Sequence, residues 1–98
     1  MPVEADAQRP RLLFFYSQTS GLSRRVEAYL AQVLQQHRNH ETFKLIRVPV
    51  EQHRELGERF KIRELPTLLV IDDRKVKARL EAPRGRPPIQ AALSPWLR

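Results

Sequence analysis

The stretch "ERFKIRELPTLLVI", residues 58–71, closes one secondary-structure element and opens another, with Pro66 at the junction. Upstream of it, "EQHRELGERF" (51–60) places Leu56 and Phe60 on one helical face and Glu51 in the first turn, where a carboxylate meets the positive end of the helix dipole. Downstream, "LPTLLVID" (65–72) reads as a strand and "DDRK" as a turn. "KVKARLE" then reads as a second strand, in which Val76, Ala78 and Leu80 alternate with Lys75, Lys77, Arg79 and Glu81. A short helix feeding a hairpin is the unit from which the rest of the chain is placed.

Toward the N-terminus, "ETFKLIRVPV" (41–50) is rich in β-branched and aromatic residues, and its Pro49 would interrupt a central ladder, so it is expected as an edge strand. Val26, Tyr29, Leu30, Val33 and Leu34 follow the i, i+3, i+4, i+7, i+8 series of a core-facing helix, which predicts a helix over about 21–37. "RLLFFY" (11–16) is almost continuously apolar, as suits a strand covered on both faces at the centre of a sheet. At the other end, Ile89, Leu93, Trp96 and Leu97 share a helical face, Pro87 and Pro88 suit a helix start, and Pro95 ends or kinks the helix near Ser94. The order is β-α-β-α-β-β-α, an α/β domain with a four-stranded mixed sheet and helices on both faces. Residues 1–10 are expected as a flexible tail and residues 11–98 as the domain.

Ninety-eight residues suit one hydrophobic core, and 41% hydrophobic with 30% charged residues is ordinary for a globular chain. There is no cysteine, which excludes disulfides, thiolate metal sites and thiol chemistry. No apolar run approaches the ~18 residues of a membrane span, and "MPVEADAQRP" lacks the basic start and apolar core of a secretion signal. A cytoplasmic monomer without a cofactor is therefore expected. The net charge of +7 is concentrated in residues 61–98, which hold nine Lys/Arg against four Asp/Glu. Such a balance bears on solubility and encounter before it bears on function.

From Arg11 to Leu97 the chain resembles the thioredoxin-like superfamily. "FFYSQTSGLSRR" resembles the strand, turn and helix start that carry the family's Cys-Gly-x-Cys-Lys/Arg motif, with Ser20, Gly21, Leu22, Ser23 and Arg24 in those places. "ERFKIRELPTLLVI" is similar to the family segment of the type Tyr-x-Ile/Val-x-x-Ile/Val-Pro-Thr-Leu, whose proline is cis, making Pro66 the cis-proline candidate. The hairpin, Gly85 and the terminal helix follow in the family's order. What the resemblance implies is a thioredoxin fold without its reaction, because an alcohol is a far weaker acid than a thiol and forms no exchangeable bond to sulfur. Phe14 stands where classical thioredoxins keep a buried carboxylate, and Thr19 where they keep a tryptophan.

Several roles are open at the degenerate motif. Ser20 is expected first as a helix cap, contributing roughly 1 kcal/mol. An anion held by the helix start with Ser20, Ser23 and Arg24 is the alternative. Catalysis by Ser20 needs a base, and of His37, His40 and His53 only His53 could come to the same end of the sheet. The family offers the backbone beside its cis-proline to an extended peptide, which here implies a peptide surface of Thr19, Ser20, Gly21, Leu22, Leu65, Pro66 and Thr67. The function expected is thus a redox-inactive protein- or peptide-binding or scaffold module, its partner unidentified. One alternative is a Cys-to-Ser variant or degenerate relative of a thiol-disulfide oxidoreductase.

A further alternative is a nucleic-acid or acidic-partner binder through the basic series Arg74, Lys75, Lys77, Arg79, Arg84 and Arg86. Basic side chains on an edge strand also deter edge-to-edge aggregation. Nucleic-acid binding is the weaker reading, because Phe43, Phe60 and Trp96 fall at core-facing positions rather than as exposed stacking platforms. His37 and His40 have the spacing of a metal pair but no supporting carboxylate or cysteine, so no metal is expected and His37 reads as a helix C-cap.

Overall fold

The computed structural model describes residues 9–36 and 42–97. The elements are β1 (Arg11–Tyr16), α1 (Gly21–Gln35), β2 (Lys44–Pro49), α2 (Arg54–Arg59), β3 (Thr67–Asp72), β4 (Lys75–Glu81) and α3 (Arg86–Leu93). They build one four-stranded sheet in the order β2-β1-β3-β4, with β1 parallel to β2 and antiparallel to β3, and β3 antiparallel to β4. The mixed sheet and the element order are those expected.

β1 explains why its run of apolar residues is unbroken. Leu12 and Phe14 face α1 and α3, where they pack with Val26, Leu30, Val33, Leu68, Val70, Ile89 and Leu93. Leu13 and Phe15 face the other way, with Val48 and Leu69, with Leu56 of α2 and with Phe60 at its C-cap. Each fully buried Leu or Phe contributes about 1.5–3 kcal/mol relative to exposure, so the two clusters hold the helices to opposite faces.

Four expectations are corrected in detail. α1 ends at Gln35, with the Gln36 amide donating to the Val33 carbonyl, and His37 and His40 lie outside the described residues. α2 begins at Arg54 rather than near residue 51, and Glu55 is the acidic residue of its first turn. Glu51 lies in the preceding turn, because its carboxylate is engaged by another loop, as described below. α3 ends at Leu93 beside its cap Ser94, as Pro95 predicts, but Trp96 follows in a turn rather than on the helical face, its amide donating to the Leu93 carbonyl at 2.9 Å. Its indole still packs edge-on against Phe43 and donates to Asp72.

The fourth correction concerns β4. A register shift beside Val70 and Ile71 pairs Ala78 with Val70 but Val76 with Ile71, so the strict alternation breaks. Ala78 and Leu80 reach the cluster under α1 and α3, whereas Val76 belongs to neither cluster and is 48% exposed. A bulge carries one unpaired residue, and every side chain beyond it changes face. Of the expected tail, residues 1–8 lie outside the described residues, while the Pro10 carbonyl already accepts from the Lys44 amide at 2.9 Å.

Candidate functional site

Antiparallel pairing of Phe15 with Thr67 and parallel pairing of Tyr16 with Pro49 bring three loops to one end of the sheet. They are the turn after β1, the turn after β2 and the loop before β3. In the first, Ser20 is the N-cap of α1, with extended backbone (φ −92°, ψ 124°), and its Oγ accepts from the Ser23 amide at 3.1 Å. Ser23 is buried, and its Oγ accepts from the Ser17 amide at 3.2 Å. Both motif hydroxyls are thus structural: one caps the helix and the other closes the turn. Among the described residues no imidazole bonds to either serine, and His53 sits at the N-cap of α2 without a side-chain bond there.

Gly21 is exposed, and a Cβ added to it would meet nothing within 4 Å, so the helix start opens onto clear space. Arg24 borders a shallow hollow of about 340 Å³ with Tyr16, Ser17 and Arg47. Arg47 is balanced there by Glu27 at 2.7 Å and lies 5.2 Å from the centre of the Tyr16 ring. The anion candidates Ser20, Ser23 and Arg24 are therefore neighbours, although both serine hydroxyls already have partners.

Glu51 ties the second loop to the first. Its Oε2 accepts from the Ser17 hydroxyl at 2.6 Å and from the Gln18 amide at 3.1 Å, and Ser17 Oγ also lies 3.1 Å from the Thr19 hydroxyl. The Ser17 hydroxyl first, then the Glu51 amide and that of Gln18, hold the carboxyl below its ordinary value of 4.5, outweighing desolvation. A carboxyl lowered on folding contributes stability above its unfolded value, and that contribution is lost as the pH falls through the lowered one. Glu51→Gln should therefore lower the urea midpoint at neutral pH and matter progressively less as the pH falls through the lowered carboxyl value. An equal deficit at every pH would show that charge plays no part.

In the third loop the Leu65–Pro66 bond is cis. Thr67 is buried, and its hydroxyl donates to the Glu64 carbonyl at 2.6 Å. The Pro66 carbonyl accepts from the Ala82 amide at 2.8 Å. Leu65 differs from both neighbours: among the described residues neither its N–H nor its C=O has a hydrogen-bond partner.

The basic series is not gathered in one place. Arg74 and Lys75 lie at the hairpin, at the far end of the sheet, while Arg84 and Arg86 follow β4 at the near end. β4, seven residues and about 20 Å long at ~3.3 Å per step, runs from one group to the other. Arg79 reaches across to the segment after α2 and donates to the carbonyls of Phe60, at 2.8 Å, and of Lys61. Neither this brace nor the Glu51 tie is visible as a motif. The tie could have been anticipated from the parallel pairing alone, since Glu51 follows β2 as Ser17 follows β1.

The thioredoxin family model matches residues 3–94. The chain belongs to the thioredoxin family. No curated protein matches it, and three solved structures that resemble it are remote in sequence. The germline-specific thioredoxin Deadhead of Drosophila melanogaster superposes with a TM-score of 0.81 at 18% identity, over 98% of this chain and 89% of that one. Fasciola hepatica thioredoxin gives 0.79 at 17%, over 97% and 88%. A mutant thioredoxin from Halobacterium salinarum gives 0.78 at 14%, over 96% and 80%. This thioredoxin-family chain has no cysteine anywhere, so the degenerate turn supports no thiolate. Among its described residues no helix is long and apolar enough to cross a membrane.

Proposed function

We propose that this thioredoxin-fold domain is a non-covalent binding module that docks an extended peptide across the surface of Thr19, Ser20, Gly21, Leu22, Leu65, Pro66 and Thr67. The observation that carries the reading is the pair of unpartnered backbone groups on Leu65, at the same sheet end as the open helix start at Gly21. A peptide strand laid beside Leu65 satisfies both groups, as in strand addition to a sheet edge. Two net hydrogen bonds of about 1 kcal/mol each and one seated apolar side chain contribute roughly 4 kcal/mol before the cost of association, so millimolar is an upper bound on the affinity of a short peptide. A physiological partner would add contacts beyond this strand. The reading places the domain in the cytoplasm as a monomer with a protein or peptide partner.

Two measurements test it. With dithiothreitol as reductant, insulin reduction should not exceed the uncatalysed background, and clear turnover would overturn the non-enzymatic reading. Titrating the 15N-labelled protein with capped extended peptides should shift the amides of Gly21, Leu65 and Thr67 first. Shifts confined to residues 74–86 would contradict docking at this surface.

A further inference from the structure

Beside Leu65 the surface sinks into an open groove of about 500 Å³ between α2 and the loop before β3, within the range of small-ligand sites. Val50, Ile62 and Leu65 line it. All three are half-buried members of the cluster beneath α2, so the groove has an apolar lining continuous with the core. Its charged border is not balanced. Arg54, Lys61 and Arg63 contribute cations, and among the described residues the side chains of Arg54 and Lys61 have no ion pair or hydrogen bond. Arg63 shares Glu81 with Arg79, each at 3.3 Å. Of the two bordering carboxylates, Glu51 is turned to Ser17 and Gln18, and three cations stand against the two anions.

We propose that the groove selects an extended peptide carrying one apolar side chain flanked by acidic residues two positions away on either side. This rests on the strand docking proposed above and specifies its ligand. In an extended chain residues i and i±2 project from the same face, about 6.6–6.8 Å apart. With the apolar side chain seated against Val50, Ile62 and Leu65, its same-face neighbours lie over the rim that carries Arg54, Lys61 and Arg63. A basic peptide in that register would set cation against cation. The occupant is therefore distinguished by charge pattern rather than by backbone, which any peptide could offer to Leu65.

The test uses three capped heptapeptides titrated into the 15N-labelled full chain: Gly-Glu-Ser-Leu-Ser-Glu-Gly and its Gln-for-Glu and Lys-for-Glu counterparts. The glutamate peptide should shift Gly57 and Ile62 along with Leu65. It should bind about tenfold tighter than the lysine peptide near 20 mM salt, and the gap should close as the Debye length shrinks toward 500 mM. Arg54→Glu with Lys61→Glu should reverse the order of the two charged peptides. Arg54→Gln with Lys61→Gln should flatten it, and both positions are exposed enough to leave the fold intact. Equal affinity of all three peptides, with Leu65 still shifted, would overturn the charge selection and leave strand docking standing. Failure of all three to shift Leu65 would remove both proposals. Shifts from the glutamate peptide confined to residues 74–86 would place acidic binding elsewhere and overturn this groove.

Discussion

Phe14→Asp should leave most of the chain unfolded at neutral pH. Phe14 is 1% exposed, stacks on Tyr16 with ring centres 5.2 Å apart, and is surrounded by the apolar cluster beneath α1 and α3. Removing a buried phenyl ring costs about 3–5 kcal/mol, and an unpaired carboxylate in the same place adds several more or is forced to stay protonated. Domains of this kind have only about 5–15 kcal/mol in total. The pH dependence follows from desolvation, which raises the new carboxyl above its unfolded value of about 3.9. The variant is therefore least impaired below about pH 4, and the deficit grows as the pH rises through the raised folded value. Phe14→Leu is the control, with a loss of about 1–2 kcal/mol. Circular-dichroism melts of the three proteins at pH 4 and pH 7 decide the matter. A near-native melt of the aspartate variant at pH 7 would mean that this position still accommodates the carboxylate that classical relatives keep there.

The second large effect separates a brace from a patch. Arg79→Ala should cost about 2 kcal/mol, read as a lower urea midpoint, because two charged donors to the carbonyls of Phe60 and Lys61 are lost. The figure lies below the roughly 3–6 kcal/mol that two such bonds reach when buried, since the Arg79 side chain is 30% exposed. Lys61 has a φ of +55°, an uncommon backbone for a residue with a side chain, and the Arg79 fork helps to hold the chain there. Glu81 completes the arrangement, kept below its ordinary value first by Arg63 and then by Arg79. Arg79→Lys should recover less than half of the loss, since an ammonium lacks the planar fork. Lys75→Ala and Lys77→Ala, both at exposed positions, should stay within about 0.5 kcal/mol of the parent. Equal losses at all three positions would show that the basic series acts as one charged surface.

Phe14 and Arg79 differ in how far the sequence alone discloses their roles. The burial of Phe14 was legible because an unbroken apolar run at strand length implies cover on both faces, and the i, i+3, i+4 series of α1 left one arrangement of helix and sheet. The loop at Pro66 was legible because its residues resemble a family segment closely. Arg79 was read as one of a series of like charges, since nothing local distinguishes it from Lys77. Its partners lie 18 and 19 residues away and meet it only once the fold brings β4 beside the segment after α2. Glu51 was drawn to the α2 dipole by a local argument, whereas a tertiary one prevails: Ser17, 34 residues away, offers it a hydroxyl. The bulge that turns Val76 outward leaves no mark in composition, because β4 continues to alternate on paper while its pairing slips by one. The groove depends on three segments that become neighbours only in the fold.

We propose that Leu65 supplies an open backbone edge to an extended partner. Amide hydrogen exchange of Leu65, with and without a saturating concentration of the glutamate heptapeptide, tests that claim at the atom concerned. In the uncomplexed protein the Leu65 N–H has no hydrogen-bond partner among the described residues and should exchange rapidly. With the peptide bound, pairing should slow its exchange at least about tenfold while amides at the far hairpin are unaffected. Unchanged exchange at Leu65 under saturation would contradict the account.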